Sequence, residues 1–155
     1  MVKFLEHLQE AERTIQSIDH MIYITLPLVK DKRLLFKILT DIKSAIVSCI
    51  NAILQYEYIN ERIVLYKSAK ENFETFVKRC TFNYKITQRE VESIIELFDI
   101  IEKYKDSPVE FLRDEKIVIL SESMKVKTIT IEKIKLFLLL AKNMVKKAKE
   151  KFIQK

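Results

Sequence analysis

An all-α fold follows from three features of the chain. Apolar residues recur at steps of three and four over long stretches, hydroxyl capping signals punctuate the middle, and glycine is absent from all 155 residues. The sequence predicts a bundle of five or six helices, two of them long and antiparallel. A small β-hairpin at 116–130 precedes the last helix, and 1–155 form one domain. The length suits a single core, and a hydrophobic share of 48% with 32% charged residues argues against disorder.

The first segment, from about Val2 to Leu26, places Phe4, Leu8, Ala11, Ile15, Ile18 and Ile22 on one helical stripe. Pro27 should end it, because the residue before a proline avoids helical geometry. Asp31 is a fitting N-cap for the second helix, which runs from Lys32 to about Tyr58 or further, either breaking near Asn60 or continuing through Glu61–Tyr66. There Leu35, Ile42, Cys49 and Tyr56 recur every seven residues, interleaved with Ile38/Leu39, Ala45/Ile46 and Ala52/Ile53. The small residues Ser44, Ala45, Ser48, Cys49 and Ala52 invite close approach of a neighbouring helix. Capping boxes at Ser68-x-x-Glu71, Thr87-x-x-Glu90 and Ser107-x-x-Glu110 predict helices at 69–79, 88–105 and 108–114. Thr81–Ile86 is then a loop whose aromatics, Phe82 and Tyr84, are expected to anchor it to the core. The β-branched runs in Lys116–Thr130 flank a polar turn, hence the hairpin, whose free edge either packs on the bundle or pairs across a homodimer. Thr130 caps the last helix, which buries Ile134, Phe137, Leu138, Ala141, Val145, Ala148 and Phe152. The first, second and last helices should form the core.

The missing glycine excludes phosphate-cradling loops, dinucleotide-binding turns and nucleophile elbows, all of which need it. It also suggests helices stopped by proline, threonine and serine rather than by left-handed glycine caps. Cys49 and Cys80 are too far apart in sequence for a C-x-x-C motif and read as reduced thiols. No segment looks like a membrane span, because the most apolar stretches, Met21–Val29, Ala45–Leu54 and Leu136–Ala141, are short or interrupted, and the N-terminus turns charged at once, so a soluble cytoplasmic protein is expected. No cofactor is implied.

The net charge is +6, but its distribution matters more. From Lys142 onward Lys142, Lys146, Lys147, Lys149, Lys151 and Lys155 face Glu150 alone, which is +5 and leaves 1–141 at +1. This basic end, 142–155, has two readings. Lys142, Lys146, Lys147, Lys149 and Lys151 are candidate contacts to RNA or another polyanion, or they complement the helix dipole and solubilise its end. Arginine and aromatics are absent from 142–151, so binding there would be electrostatic, without base reading. No metal site is expected. His7 and His20, the two histidines, point to different helix faces, and Glu92, Glu96 and Asp99 read as a solvated stripe.

The long helical pair and the small residues of the second helix resemble HEPN domains, helical bundles found beside nucleotidyltransferases or acting as ribonucleases. Nuclease members carry an Arg-x(4–6)-His motif, and Arg13-Thr-Ile-Gln-Ser-Ile-Asp-His20 has that spacing. In the family the motif lies nearer the C-terminal half, usually with an amide or acid after the arginine where Thr14 stands here. The resemblance covers the first two helices. It implies a ribonuclease or toxin-type bundle in which Arg13 holds a phosphate and His20 moves a proton. The residues themselves point first to a non-enzymatic helical interaction module, homodimeric, with RNA or another anionic macromolecule as partner.

Overall fold

The computed structural model describes residues 2–29, 32–105, 109–113, 116–120 and 126–153, and it is mostly helical. Helix α1 spans Lys3–His20 and continues through a π-helical stretch, Met21–Thr25, into a last turn, Leu26–Leu28. Pro27 therefore does not stop the helix before itself, and Leu26 keeps helical angles. The reason is the widened turn. The Leu26 N–H reaches back to the Met21 carbonyl, so the backbone is loosened around Tyr23, whose carbonyl a proline ring at 27 would otherwise meet.

Helix α2 (Lys32–Ile59) runs antiparallel to α1, as the Phe4 ring 5.0 Å from Tyr56 requires. Ala45, Cys49 and Ala52 on α2 and Ala11 on α1 are fully buried, and this pair has the most extensive backbone approach in the bundle. Small side chains allow that approach without voids. By length and composition alone, Arg33–Ile59 is also able to cross a membrane, contrary to the expectation that no segment has that character. Isolated charges hide this from a search for uninterrupted apolar runs. More than half of its most apolar window is buried inside the bundle.

Two left-handed residues shape the chain beyond α2. Glu61 (φ 59°) closes the helix, with the Glu61 N–H on the Tyr58 carbonyl and the Arg62 N–H on the Glu57 carbonyl. Lys85 (φ 58°) repeats the pattern, through Lys85 N–H to Phe82 O and Ile86 N–H to Thr81 O. Both are Schellman-type closures. The absence of glycine has not removed this way of ending a helix, against the sequence expectation. Glutamate and lysine instead occupy conformations that cost them about 1 kcal/mol or more relative to the right-handed form.

Helix α3 (Ala69–Thr75) passes into a π-helical turn, Phe76–Cys80, and α4 spans Gln88–Lys105. Ser68 and Thr87 accept from the backbone N–H of Glu71 and Glu90 at 3.4 and 3.1 Å, and Thr130 does the same for Lys133 at 3.0 Å. In the connection between α3 and α4, Tyr84 is buried as expected. Phe82 is not: it is 91% exposed, because Schellman closure around Lys85 turns it outward while Tyr84 turns in.

The region before the last helix departs most from expectation. Val109–Arg113 is not a helix but strand β1, pairing antiparallel with β2 (Lys116–Leu120), which pairs in turn with β3 (Val126–Thr130). Val109 lies opposite Leu120, and Lys116 lies opposite both Arg113 and Thr130 in the two ladders. A helix of one or two turns closes few hydrogen bonds, whereas pairing along a neighbouring strand bonds alternate residues of the whole segment and extends a sheet. Ser107, Pro108 and Asp31 lie outside the described residues, as do the hairpin's turn residues 121–125.

Helix α5 (Ile131–Phe152) comes directly after β3 and runs antiparallel to α1. It buries Leu140 and Met144 in addition to the stripe read from sequence. The core joins α1, α2 and α5 with Phe76, Val91, Ile94, Leu97 and Ile100. At one end Phe152 sits between Phe4 (5.0 Å) and Tyr56 (4.6 Å), tying three helix termini together.

Candidate functional site

The basic end of α5 turns much of its charge inward, towards the bundle. Lys142 pairs with Asp19 at 2.8 Å and Lys149 with Glu12 at 3.3 Å, both along α1. Lys147 reaches Glu90 at 2.5 Å and also donates to the Lys85 carbonyl at 2.8 Å. Of the five lysines proposed as polyanion contacts, Lys146 and Lys151 hold no ion pair among the described residues, whereas Lys142, Lys147 and Lys149 do. One turn of α5 after another is thereby fastened to its neighbours.

The Lys147 contact carries a measurable pH signature. Burial opposes the Glu90 charge, but the Lys147 hydrogen bond, the Thr87 N–H and the lysine's field together hold its carboxyl below the usual range. A carboxyl held down in the folded state stabilises fully above its ordinary value, and that contribution fades as pH falls through the lower folded value. Lys147→Met should cost about 1 kcal/mol at pH 7, since both groups are only partly buried. Thermal unfolding from neutral pH down to about pH 3 checks this. The melting temperature of the wild type should fall more steeply than that of the variant and the gap between them should narrow in acid, leaving the share owed to the Lys85 carbonyl. Parallel curves would show that Glu90 gains nothing from the pair.

Arg13 and His20 both stand exposed on α1. The Arg13 guanidinium engages Glu10 at 2.9 Å, one turn back on the same helix. Neither residue lines the grooves beside Arg62, Tyr23 and Phe73. On α4, Glu96 is taken by Lys133 at 2.6 Å, and Glu92 and Asp99 are exposed. Among the described residues no group of three or more His, Cys, Asp or Glu is arranged to hold a metal ion.

A polar cluster that periodicity does not reveal sits under the end of α2. Glu57 is 2% exposed and accepts from both Nε (2.8 Å) and Nη2 of Arg62. The hydrogen bond to Glu57 holds the Arg62 guanidinium above its ordinary range. Beside it, burial and the Glu57 charge push the Cys80 thiol up to about 12 and move the Tyr84 phenol upward as well. The Tyr84 hydroxyl has no hydrogen-bond partner among the described residues. Cys49 is pushed up to about 12 by burial alone, and both cysteines are free and buried. Thiols in this state are poor nucleophiles, so neither is set up for catalysis. Arg62 also borders a small groove of about 240 Å³ with Glu61, Tyr66 and Arg79.

The larger groove, about 520 Å³, lies between α2 and α3. Val47, Ile50, Leu54, Phe73 and Phe98 supply apolar lining, while Lys43, Lys67 and Lys70 bring three positive charges and no carboxylate lines it. The geometry is built from local contacts. Asn72 clamps the preceding loop to α3 by accepting from the Tyr66 N–H (2.7 Å) and donating to the Tyr66 carbonyl (2.8 Å). Phe73 stacks towards Phe98 at 5.8 Å, and Lys43 lies 5.3 Å from the same ring, a cation–π contact that holds its charge over the groove. Lys67 and Lys70 are exposed and hold no carboxylate among the described residues. Sequence reasoning missed this site because its lysines are dispersed along the chain. The available signal was a second apolar face of α2, Val47, Ile50 and Leu54, beyond the stripe that meets α1.

Comparison with protein-family models, with curated proteins and with solved structures gave no match for this chain.

Proposed function

We propose that the protein is a non-enzymatic helical interaction module whose α2–α3 groove takes an acidic amphipathic segment of a partner protein. One observation carries the reading: the groove combines an apolar lining with Lys43, Lys67 and Lys70 and no acid. An apolar helix face laid into such a groove removes Val47 and Phe73 from water, and flanking acids meet the lysines. RNA suits this groove less well, because phosphate contacts gain nothing from an apolar lining. The lysines first assigned to an anionic partner on α5 are largely engaged with Asp19, Glu12 and Glu90, which favours the α2–α3 side. A homodimer in the cytoplasm remains the assembly and setting we assign to this module.

The test is selection of a displayed helical peptide library against the purified protein, followed by anisotropy of the recovered peptides. Binders should be rich in Asp and Glu, with apolar residues spaced i, i+3/i+4, i+7. The double variant Lys67→Glu/Lys70→Glu should weaken them by about tenfold or more, and Val47→Asp should do the same through the lining. Recovery of no acidic consensus, affinity untouched by these variants, or preferential binding of a short single-stranded RNA would overturn the reading.

A further inference from the structure

The outward face of α5 has a pattern of its own. Glu132, Leu136, Leu139, Asn143, Lys146 and Glu150 are all exposed and succeed one another at steps of four and three. They form one stripe on the side of the helix opposite its core, apolar at Leu136 and Leu139 and polar on either side of that pair. Leu136 and Leu139 remain 59% and 51% exposed. They border a groove of about 370 Å³ whose other wall is Tyr23, itself 54% exposed. Lys135 lies 5.3 Å from the Tyr23 ring and fixes that wall beside the stripe.

We infer that this face is a self-association surface, on which α5 of one copy meets α5 of a second copy antiparallel about a two-fold axis at Leu136–Leu139. The charge pattern chooses both the partner and the direction. The acidic residue Glu132 lies at one end of the leucine pair, and Lys146 lies towards the other. In an antiparallel pair Glu132 of each copy approaches Asn143 and Lys146 of the other, twice over, as two-fold symmetry demands. A parallel pair would set Glu132 against Glu132 and Lys146 against Lys146. Opposed helix dipoles favour the same arrangement. Both charges are available for it. Glu132 touches Lys135 only at 4.0 Å with its side chain 83% exposed, and Lys146 has no ion pair among the described residues. Tyr23 extends the apolar contact beyond the two leucines, so the surface is not confined to a single helix.

The surface is separate from the α2–α3 groove and does not depend on the proposal made for it. Sedimentation velocity of the full chain over a range of concentrations should show a monomer–dimer equilibrium. Leu136→Asp/Leu139→Asp should abolish the dimer, with an unchanged helical circular-dichroism spectrum showing that the exposed positions tolerate the substitution. Glu132→Lys alone and Lys146→Glu alone should each weaken self-association by about tenfold through like-charge contacts. An equimolar mixture of those two variants should regain a dimer, because both contacts between positions 132 and 146 then join a lysine on one copy to a glutamate on the other. Lys67→Glu/Lys70→Glu should leave the dimer intact, so a failed groove proposal and a failed dimer proposal give different results. A wild type that sediments as a monomer throughout, a dimer indifferent to the leucine changes, or a mixture that regains nothing would overturn the inference.

Discussion

Arg62→Ala should destabilise the protein by about 3 kcal/mol, near the lower end for breaking a buried ion pair. The cost comes from what is left behind rather than from the arginine itself. Glu57 is 2% exposed, and the guanidinium that meets its carboxylate through Nε and Nη2 is the ion-pair partner it has among the described residues. Removing that partner strands a charge where water reaches it poorly. The Arg62 side chain is itself 46% exposed, so the vacated space can admit some water, which is why the lower figure applies. Arg62 also covers the Tyr56 ring at 5.6 Å, adding a packing loss at the aromatic cluster. Chemical denaturation of wild type, Arg62→Ala, Glu57→Gln and the double variant measures the pair directly. The double variant should be more stable than Arg62→Ala, because the stranded charge has gone. Additive losses would mean that the two side chains act independently and that the buried carboxylate is satisfied by something else.

The Glu57–Arg62 pair also marks the limit of what the sequence conveyed. Residues joined by local periodicity or a local cap were legible. The stripes of α1, α2 and α5 fell where expected except at their ends, where Phe4, Tyr56 and Phe152 are half-buried, and Ser68, Thr87 and Thr130 each accept the N–H three residues on. Glu57 lies among apolar positions of α2 and reads as an interruption, until Glu61 takes up its left-handed angles and returns Arg62 beneath the helix. That requires a backbone conformation which a glycine would have signalled and a glutamate does not. Val109–Arg113 failed for a related reason, since the Ser107-x-x-Glu110 signal is local while the strand's partner, Lys116–Leu120, is supplied by the chain beyond it. The lysines show the same boundary at the level of function. Their number towards the C-terminus was plain, but their partners Asp19, Glu12 and Glu90 lie more than fifty residues away and come from other helices. Composition located the charge; only the fold shows where it is already engaged. The groove at Lys43, Lys67 and Lys70 was invisible for the converse reason, because three lysines become one feature only when α2 and α3 meet.

Phe76→Ala should be the most damaging single truncation near that groove, costing about 3–5 kcal/mol. The ring is completely buried, and it begins the π-helical turn Phe76–Cys80 that carries α3 into the connection. A wider turn has fewer favourable backbone contacts than an α-helix, so this one depends on the side chains it drives into the core. Phe76 is the largest of them, with Cys80 buried behind it. In a chain of this length the melting temperature should fall by about 10 °C. The consequence should reach function as well as stability. Phe76 lies 6.1 Å from Phe73, and Phe73 forms the groove wall against Phe98, so a void at 76 removes the support on which that wall rests. Phe76→Leu, which leaves a smaller void, should lose less stability and keep most of the groove's affinity for an acidic peptide. Calorimetry and peptide titration on the same two variants separate these effects. A Phe76→Ala protein that melts like the wild type would mean that the core closes over the void. If it melted early yet bound the peptide unchanged, the groove wall would owe its position to α3 and the Asn72 clamp rather than to the ring beneath it.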